Sequence, residues 1–186
     1  MGVSVSNLTQ GPGTLFNGAF GATEPADTAV ATAPNGAVWS DVGGTMDGVT
    51  LTINQEFKEL EVDQIVDVPG RRLTKRDMVI KTNMAEPTLE NLAFASNGSA
   101  SITTGTGYKA LEPSNDTSAT QPNYRALLFD GIAPGGGNRR VIARRCLSTD
   151  NVEMAYKKDS QTVFSVAFSA HYVSPSVPAY KVVDES

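Results

Sequence analysis

Residues Trp39 to Phe94 read WSDVGGTMDGVTLTINQEFKELEVDQIVDVPGRRLTKRDMVIKTNMAEPTLENLAF, and the fold turns on this stretch. It opens with Gly43, Gly44, Asp47 and Gly48, a turn-forming cluster. A strand follows in which Val49, Leu51, Ile53 and Phe57 face one way, and Thr50, Thr52, Asn54 and Glu56 face the other. Only Gln55 interrupts the apolar row. This alternation predicts an antiparallel strand with one buried face and one wet face. Residues 58–76 are more polar and turn at Pro69-Gly70, which predicts a long hairpin or loop projecting from the body. Arg76 to Met84 returns as a strand with Met78, Ile80 and Met84 inward. Pro87 suits a first helical position, Leu89, Leu92 and Ala93 share a helical face, and Asn97-Gly98 forms a stop. A helix over 87–96 is too short to stand alone and must lie on the sheet.

Outward from this stretch, residues 1–38 hold only two charges, Glu24 and Asp27, and few, aperiodic apolar groups. So little burial does not offset roughly 1–2 kcal/mol of backbone entropy per residue. The segment reads as an N-terminal arm, either mobile or ordered against a neighbouring subunit. Residues 97–122 read as a surface loop with a short strand possible near Ser101 to Thr104. Tyr124 to Ile132 is apolar on both faces and pairs with Arg139 to Leu147 across a Pro-Gly-rich hairpin loop. Val152 to Lys158 is expected to pair with Val163 to Val173. The tail from Ser174, with Pro175 and Pro178, is expected to leave the sheet as a C-terminal arm over 174–186. The fold class is therefore mainly β: a two-sheet antiparallel sandwich or barrel over 39–173, with one short flanking helix.

The bulk numbers agree. The 186 residues suit one domain with extensions, and 40% hydrophobic with 19% charged content leaves room for a turn-rich β-protein. A net charge of −5 opposes whole-surface attraction to nucleic acid or anionic membrane. Cys146 is the one cysteine, which excludes an intrachain disulfide and a cysteine metal cage and fits assembly in a reducing cytoplasm. The N-terminus has no basic–apolar pattern of a secretory signal. No run reaches the roughly 18 apolar residues that span a bilayer. Sequons at Asn7, Asn97 and Asn115 are therefore read as unmodified.

Reactive chemistry finds little footing. His171 is the one histidine and has no patterned partner, so it reads as solvent-facing or interfacial. Cys146 follows Arg144-Arg145 but reads as a buried strand cysteine. Gly135 to Gly137 lacks the Gly-Lys-Ser/Thr ending and the helix of a phosphate loop. The acidic residues of 41–67 lack calcium-loop spacing. Arg71-Arg72, Arg139-Arg140 and Arg144-Arg145 lack interleaved aromatics and read as protein–protein salt contacts. Trp39 reads as a packing anchor. No catalytic residue, cofactor or metal is expected.

Taken in order, Trp39-Ser40-Asp41-Val42-Gly43, Asp47-Gly48-Val49, Glu61-Val62-Asp63-Gln64, Ile80 to Glu86 and Thr88-Leu89-Glu90-Asn91-Leu92 carry a family resemblance. The chain resembles the major tail tube proteins of long-tailed, siphovirus-type bacteriophages, and through them the tube protein of type VI secretion. The likeness is detailed over 38–95 and holds in outline for the later strands. It implies a structural virion protein in the tail, assembled in the host cytoplasm into stacked hexameric rings that conduct DNA into the host. Implied partners are further copies, the tape-measure, tail terminator and distal tail proteins, and DNA that passes without specific binding; no membrane is involved. Glu61, Asp63, Asp67, Arg71, Arg72, Lys75 and Arg76 of the excursion are the expected contacts between subunits or rings, together with the two arms. The bore is expected to be neutral to acidic, without Arg144 and Arg145 both lining it. The alternative is a monomeric β-sandwich binding module for host-surface or carbohydrate recognition; a hydrolase is disfavoured by the unpartnered His171.

Overall fold

A computed structural model describes residues 2, 4–97, 100–113 and 123–185. In chain order the strands are β1 (Thr14–Ala19), β2 (Trp39–Asp41), β3 (Thr45–Leu60) and β4 (Gly70–Met84), then helix α1 (Leu89–Ala95). They continue with β5 (Ala100–Gly105), β6 (Tyr108–Pro113), β7 (Arg125–Ile132), β8 (Asn138–Ser148), β9 (Phe164–Ala170) and β10 (Tyr180–Asp184). The main antiparallel sheet runs β2-β1-β7-β8-β9-β4-β3, and β10 also pairs with β8. β10 and β9 lie end to end along β8, against 139–143 and 146–148 respectively. The β5–β6 hairpin forms a small second sheet. The expected mainly-β class with two sheets and one short helix is what the chain adopts.

Strands β7 and β8 organise the core because both their faces are apolar. One face joins Leu127, Val141, Ala143 and Cys146 to Leu15, Met78, Ile80, Met84, Phe164 and Phe168. The opposite face joins Ala126, Leu128 and Ile142 to Trp39. That second face requires a cover, and residues 20–38 supply it. The segment expected to be an arm is therefore part of the body over much of its length: β1 lies between β2 and β7, with Leu15 fully buried. Its apolar groups are sparse, but they face a surface that would otherwise be wet.

A charged clamp fixes the cover. Arg140, 1% exposed, makes two hydrogen bonds to the Asp130 carboxylate, each 2.7 Å. It donates three more to the carbonyls of Ala29, Val30 and Thr32. Arg144 pairs with Glu24, and Lys181 of β10 pairs with Asp27. Trp39 is anchored as expected, 2% exposed, its indole donating to the Thr23 carbonyl at 3.0 Å.

Three other expectations need correction. The tail does not leave the sheet: after Pro178, β10 returns to pair with β8, where Arg139 chelates Asp184 at 2.6 and 2.7 Å. Residues 152–158 do not form a strand pair with β9; the one bridge is Met154 to Phe164, because β9 finds both its neighbours in β4 and β8. The stretch 100–113 is a hairpin, whereas 114–122, including Asn115, lies outside the described residues.

The helix is also shorter than expected. Thr88 caps it, accepting from Asn91 N at 3.2 Å, so Pro87 precedes the cap. Its buried side chains are Phe94 and Ala95; Leu89, Leu92 and Ala93 are half-buried. Phe94 stacks on Phe168 with ring centroids 4.7 Å apart, fastening the helix to the sheet. Asn97, at φ +60°, exchanges two hydrogen bonds with the Ser148 backbone and so prolongs the β8 edge.

Because Arg140 is a buried cation with its partners in place, removing it strands Asp130 and the carbonyls of Val30 and Thr32, while that of Ala29 keeps its bond from Thr32 N. Arg140→Ala is expected to cost about 3–5 kcal/mol, read as a fall in the urea midpoint. Protease sensitivity should rise first within residues 20–38.

Candidate functional site

Among the described residues, the path of the sheet ends at β2 and β3, and β10, paired with β8 alone, leaves a further short edge. β3 is the long one. Its row Val49, Leu51, Ile53 stands opposite Thr82, Ile80 and Met78 and so shares the core face of β4. Expected to be buried, the row is not covered: Leu51 is 36%, Ile53 49% and Phe57 53% exposed. The reason is position. β3 is the last strand along the sheet, so Leu51 and Ile53 have a neighbouring strand on one side alone, and past Met78, at the level of Phe57, β4 has lost β9 as well.

Two irregularities shape the hairpin. Asp47 and Gly48, both with positive φ, form a bulge at the entry to β3. Gly43, also at positive φ, packs directly on the Glu86 carboxylate, which accepts from Gly44 N at 2.8 Å. A side chain at Gly43 would collide with that carboxylate. Further out, Phe57 pairs with Leu73 and Glu56 with Lys75, so Thr74 is the extra residue. Its hydroxyl bonds the Glu56 carbonyl at 3.0 Å. By inserting one residue, the bulge turns Leu73 onto the same face as Phe57. The result is an uncovered apolar ribbon of Leu51, Ile53, Phe57 and Leu73 that continues the core row outward.

The residues expected as contacts divide into two sets. Arg71 binds Glu59 at 2.6 Å and Lys75 reaches Glu56 at 3.5 Å, so these charges are matched across the hairpin itself. Glu61, Asp63 and Asp67 on the connecting tip, and Arg72 and Arg76 on β4, are exposed and have no ion-pair partner among the described residues. The tip also presents Val62, Ile65, Val66 and Val68 to solvent. Sequence reasoning identified the charges but missed the apolar ribbon, because alternation alone reads as burial.

The remaining basic pairs differ from expectation. Arg139, Arg140 and Arg144 are matched within the chain by Asp184, Asp130 and Glu24. Arg145 lies over the Tyr124 ring at 3.9 Å and donates to the Tyr172 carbonyl. His171 is half-buried, edge-on to Tyr124 at 5.5 Å, with Nε2 unpartnered. Cys146 is fully buried as expected, and burial pushes its thiol up to about 12. Among the described residues, no group of three His, Cys, Asp or Glu side chains converges, and no helix is long and apolar enough to cross a membrane.

A family model described as phage tail tube protein matches residues 4–186. The chain belongs to the phage tail tube protein family. It is a structural protein of the virion tail. No curated protein sequence matches. Two solved structures resemble it in outline. A chain of "Virion of native gene transfer agent (GTA) particle" is 11% identical at a TM-score of 0.42, covering 80% of this chain and 89% of that one. A chain of "Tail of empty GTA particle computed with helical refinement, C6 symmetry" is 12% identical at a TM-score of 0.42, covering 76% of this chain and 96% of that one.

The Cys146 environment gives a direct test. The native thiol should resist maleimide labelling at pH 8 and label fully in denaturant. Its folded value exceeds the ordinary 9.0, so the neutral thiol stabilises the fold below pH 9. That contribution should decline as pH rises from 9.0 towards 12, where the unfolded thiol ionises and the folded one does not. Cys146→Ala should flatten this part of the stability profile.

Proposed function

We propose that the chain assembles with copies of itself into closed rings of six, and that the rings stack into the tube of a long-tailed phage. The observation that carries this reading is the uncovered ribbon on the open edge of β3. An open, 16-residue edge strand with an apolar row is a template for pairing with another chain. Ring closure removes every such edge at once. The number six comes from the family resemblance.

Magnitudes favour a closed assembly over a simple pair. Full burial of one large aliphatic or aromatic side chain contributes about 1.5–3 kcal/mol. Four side chains already half-buried therefore contribute on the order of 4 kcal/mol. Association costs an estimated 4–15 kcal/mol or more, so one ribbon does not hold two subunits together. Edge hydrogen bonds and a second contact, made again by each subunit around the ring, supply the rest.

Stacking is heterologous and has no closure of its own, so rings grow into a filament. The hairpin tip, with Glu61, Asp63 and Asp67, and the unpaired Arg72 and Arg76 serve as connectors between subunits or rings. Arg71 and Lys75 stiffen the hairpin. DNA passes through the lumen without specific contacts, en route to the host. Support comes from arginines matched within the chain, since DNA carries about one negative charge per 1.7 Å and a bare cationic bore would hold it. Tape-measure, tail terminator and distal tail proteins are the other tail components it meets.

Negative-stain microscopy of the concentrated chain should show rings or tubes. Persistent monomers would instead point to a stand-alone binding module. Replacing residues 58–76 by a short turn should leave a folded β-domain by circular dichroism and abolish stacking. Tubes formed by that variant would remove the hairpin from the connector role.

A further inference from the structure

A cavity of about 230 Å³ opens on the face of the sheet covered by residues 20–38, lined by Phe20, Ala22, Trp39, Ala126, Ile142 and Val177 among others. It is smaller than the roughly 300–1,000 Å³ of a drug-sized ligand site, but it has room for aliphatic side chains. Its lip is cationic for a structural reason. Arg125 pairs with Cys146 and Leu127 with Ala143, so Arg144 and Arg145 together oppose the single residue Ala126. This bulge brings both arginines to the cavity side, where the ladder would otherwise alternate. Arg144 lines the cavity and is neutralised by Glu24. Arg145 lies 5.7 Å from the ring of Phe20, a lining residue, and 3.9 Å from that of Tyr124. Neither Arg145 nor the neighbouring Arg125 has a carboxylate partner among the described residues, and the buried Nε of each is unpartnered. Buried donors of this kind call for an explanation.

The same chain carries the complementary chemistry. Its hairpin tip, residues 61–69, holds three carboxylates and no cation, interleaved with aliphatic side chains. Val66 is fully exposed, and Asp67 follows it. We propose that the cavity receives the hairpin tip of a second copy of this chain, with Val66 entering between Phe20 and Ile142 and Asp67 meeting Arg145. The inference rests on the self-assembly reading and adds to it the receiving surface. An aliphatic side chain in an apolar pocket beside a shielded ion pair is the pattern of an interface hot spot. Shielding matters here, because an exposed pair alone contributes little.

The test is cross-linking within assemblies. A Val66→Cys, Ala22→Cys chain, oxidised under conditions where the parent forms tubes, should give a ladder of covalent multimers on a non-reducing gel. Each single variant should give none beyond dimers, and Cys146 stays silent because it is buried. Charge exchange provides a second readout. Asp67→Arg and Arg145→Asp should each raise the concentration needed for tube formation about tenfold, equivalent to about 1.4 kcal/mol. The double exchange should restore assembly. Tubes of the parent without a ladder, or a concentration-independent bond within one chain, would overturn the inference and leave the tube reading intact. A failed double exchange whose variants keep the parent circular dichroism spectrum would do the same. A parent chain that forms neither rings nor tubes overturns both.

Discussion

Strands β7 and β8 have no polar face. Leu127, Val141 and Ala143 look one way, and Ala126, Leu128 and Ile142 look the other, all of them buried. A sheet centre of this kind must be covered twice. On one side β9, β4 and the helix bring Phe168, Ile80 and Phe94 to the shared cluster. On the other side much of the cover comes from the Gly- and Ala-rich N-terminal segment, which has little apolar surface of its own, with Val173 and Val177 beside it. The clamp formed by Arg140 resolves that shortage. A buried guanidinium bound to one carboxylate and three carbonyls gives a weakly apolar strap a fixed position, and it satisfies two of them, those of Val30 and Thr32, that would otherwise lack a partner.

The same rule explains why the hairpin points outside the molecule. Core strands carry an apolar row because something covers it. β3 carries such a row along the outer border of the sheet, and the β3–β4 hairpin continues it past Met78, where β4 no longer pairs with β9. The Thr74 bulge turns Leu73 onto that row, on the face already occupied by Phe57. A bulge that adds exposed apolar surface has no use in an isolated chain. It makes sense where another copy supplies the missing cover.

What the sequence disclosed depended on whether the deciding signal was local. The β3 and β4 strands, the β7–β8 hairpin, the buried Cys146 and the Trp39 anchor were all legible from alternation, turn residues and residue type. The place of β1 was not, since Leu15 and Phe16 sit in a six-residue strand among glycines and its partner β7 is more than 100 residues away. β10 was hidden behind two prolines for the same reason: its pairing is decided by the vacant edge of β8, not by its own propensity. At the candidate site, the charges of 61–76 were plain, yet the exposure of Leu51, Ile53 and Phe57 was invisible. Alternation records that a face is apolar, and it is silent on whether its cover lies in the same chain. The both-faced apolarity of Tyr124 to Ile132 was the one available clue that further material had to fold back.

The distribution of charge completes the case for a tube rather than a nucleic-acid binder. Among the described residues, eight Lys and Arg side chains lie in intrachain ion pairs. Those of β8 are fixed by Asp130, Asp184 and Glu24, and they face residues that seal the sheet. A guanidinium already chelated by a carboxylate has little left to offer a phosphate, because binding DNA would require breaking a charge-assisted pair of similar strength. The cations of the hairpin without an ion pair among the described residues, Lys58, Arg72 and Arg76, share it with unmatched carboxylates at its tip. Such a mixed surface suits contact with another copy of the same chain, and with a net charge of −5 it does not favour a polyanion.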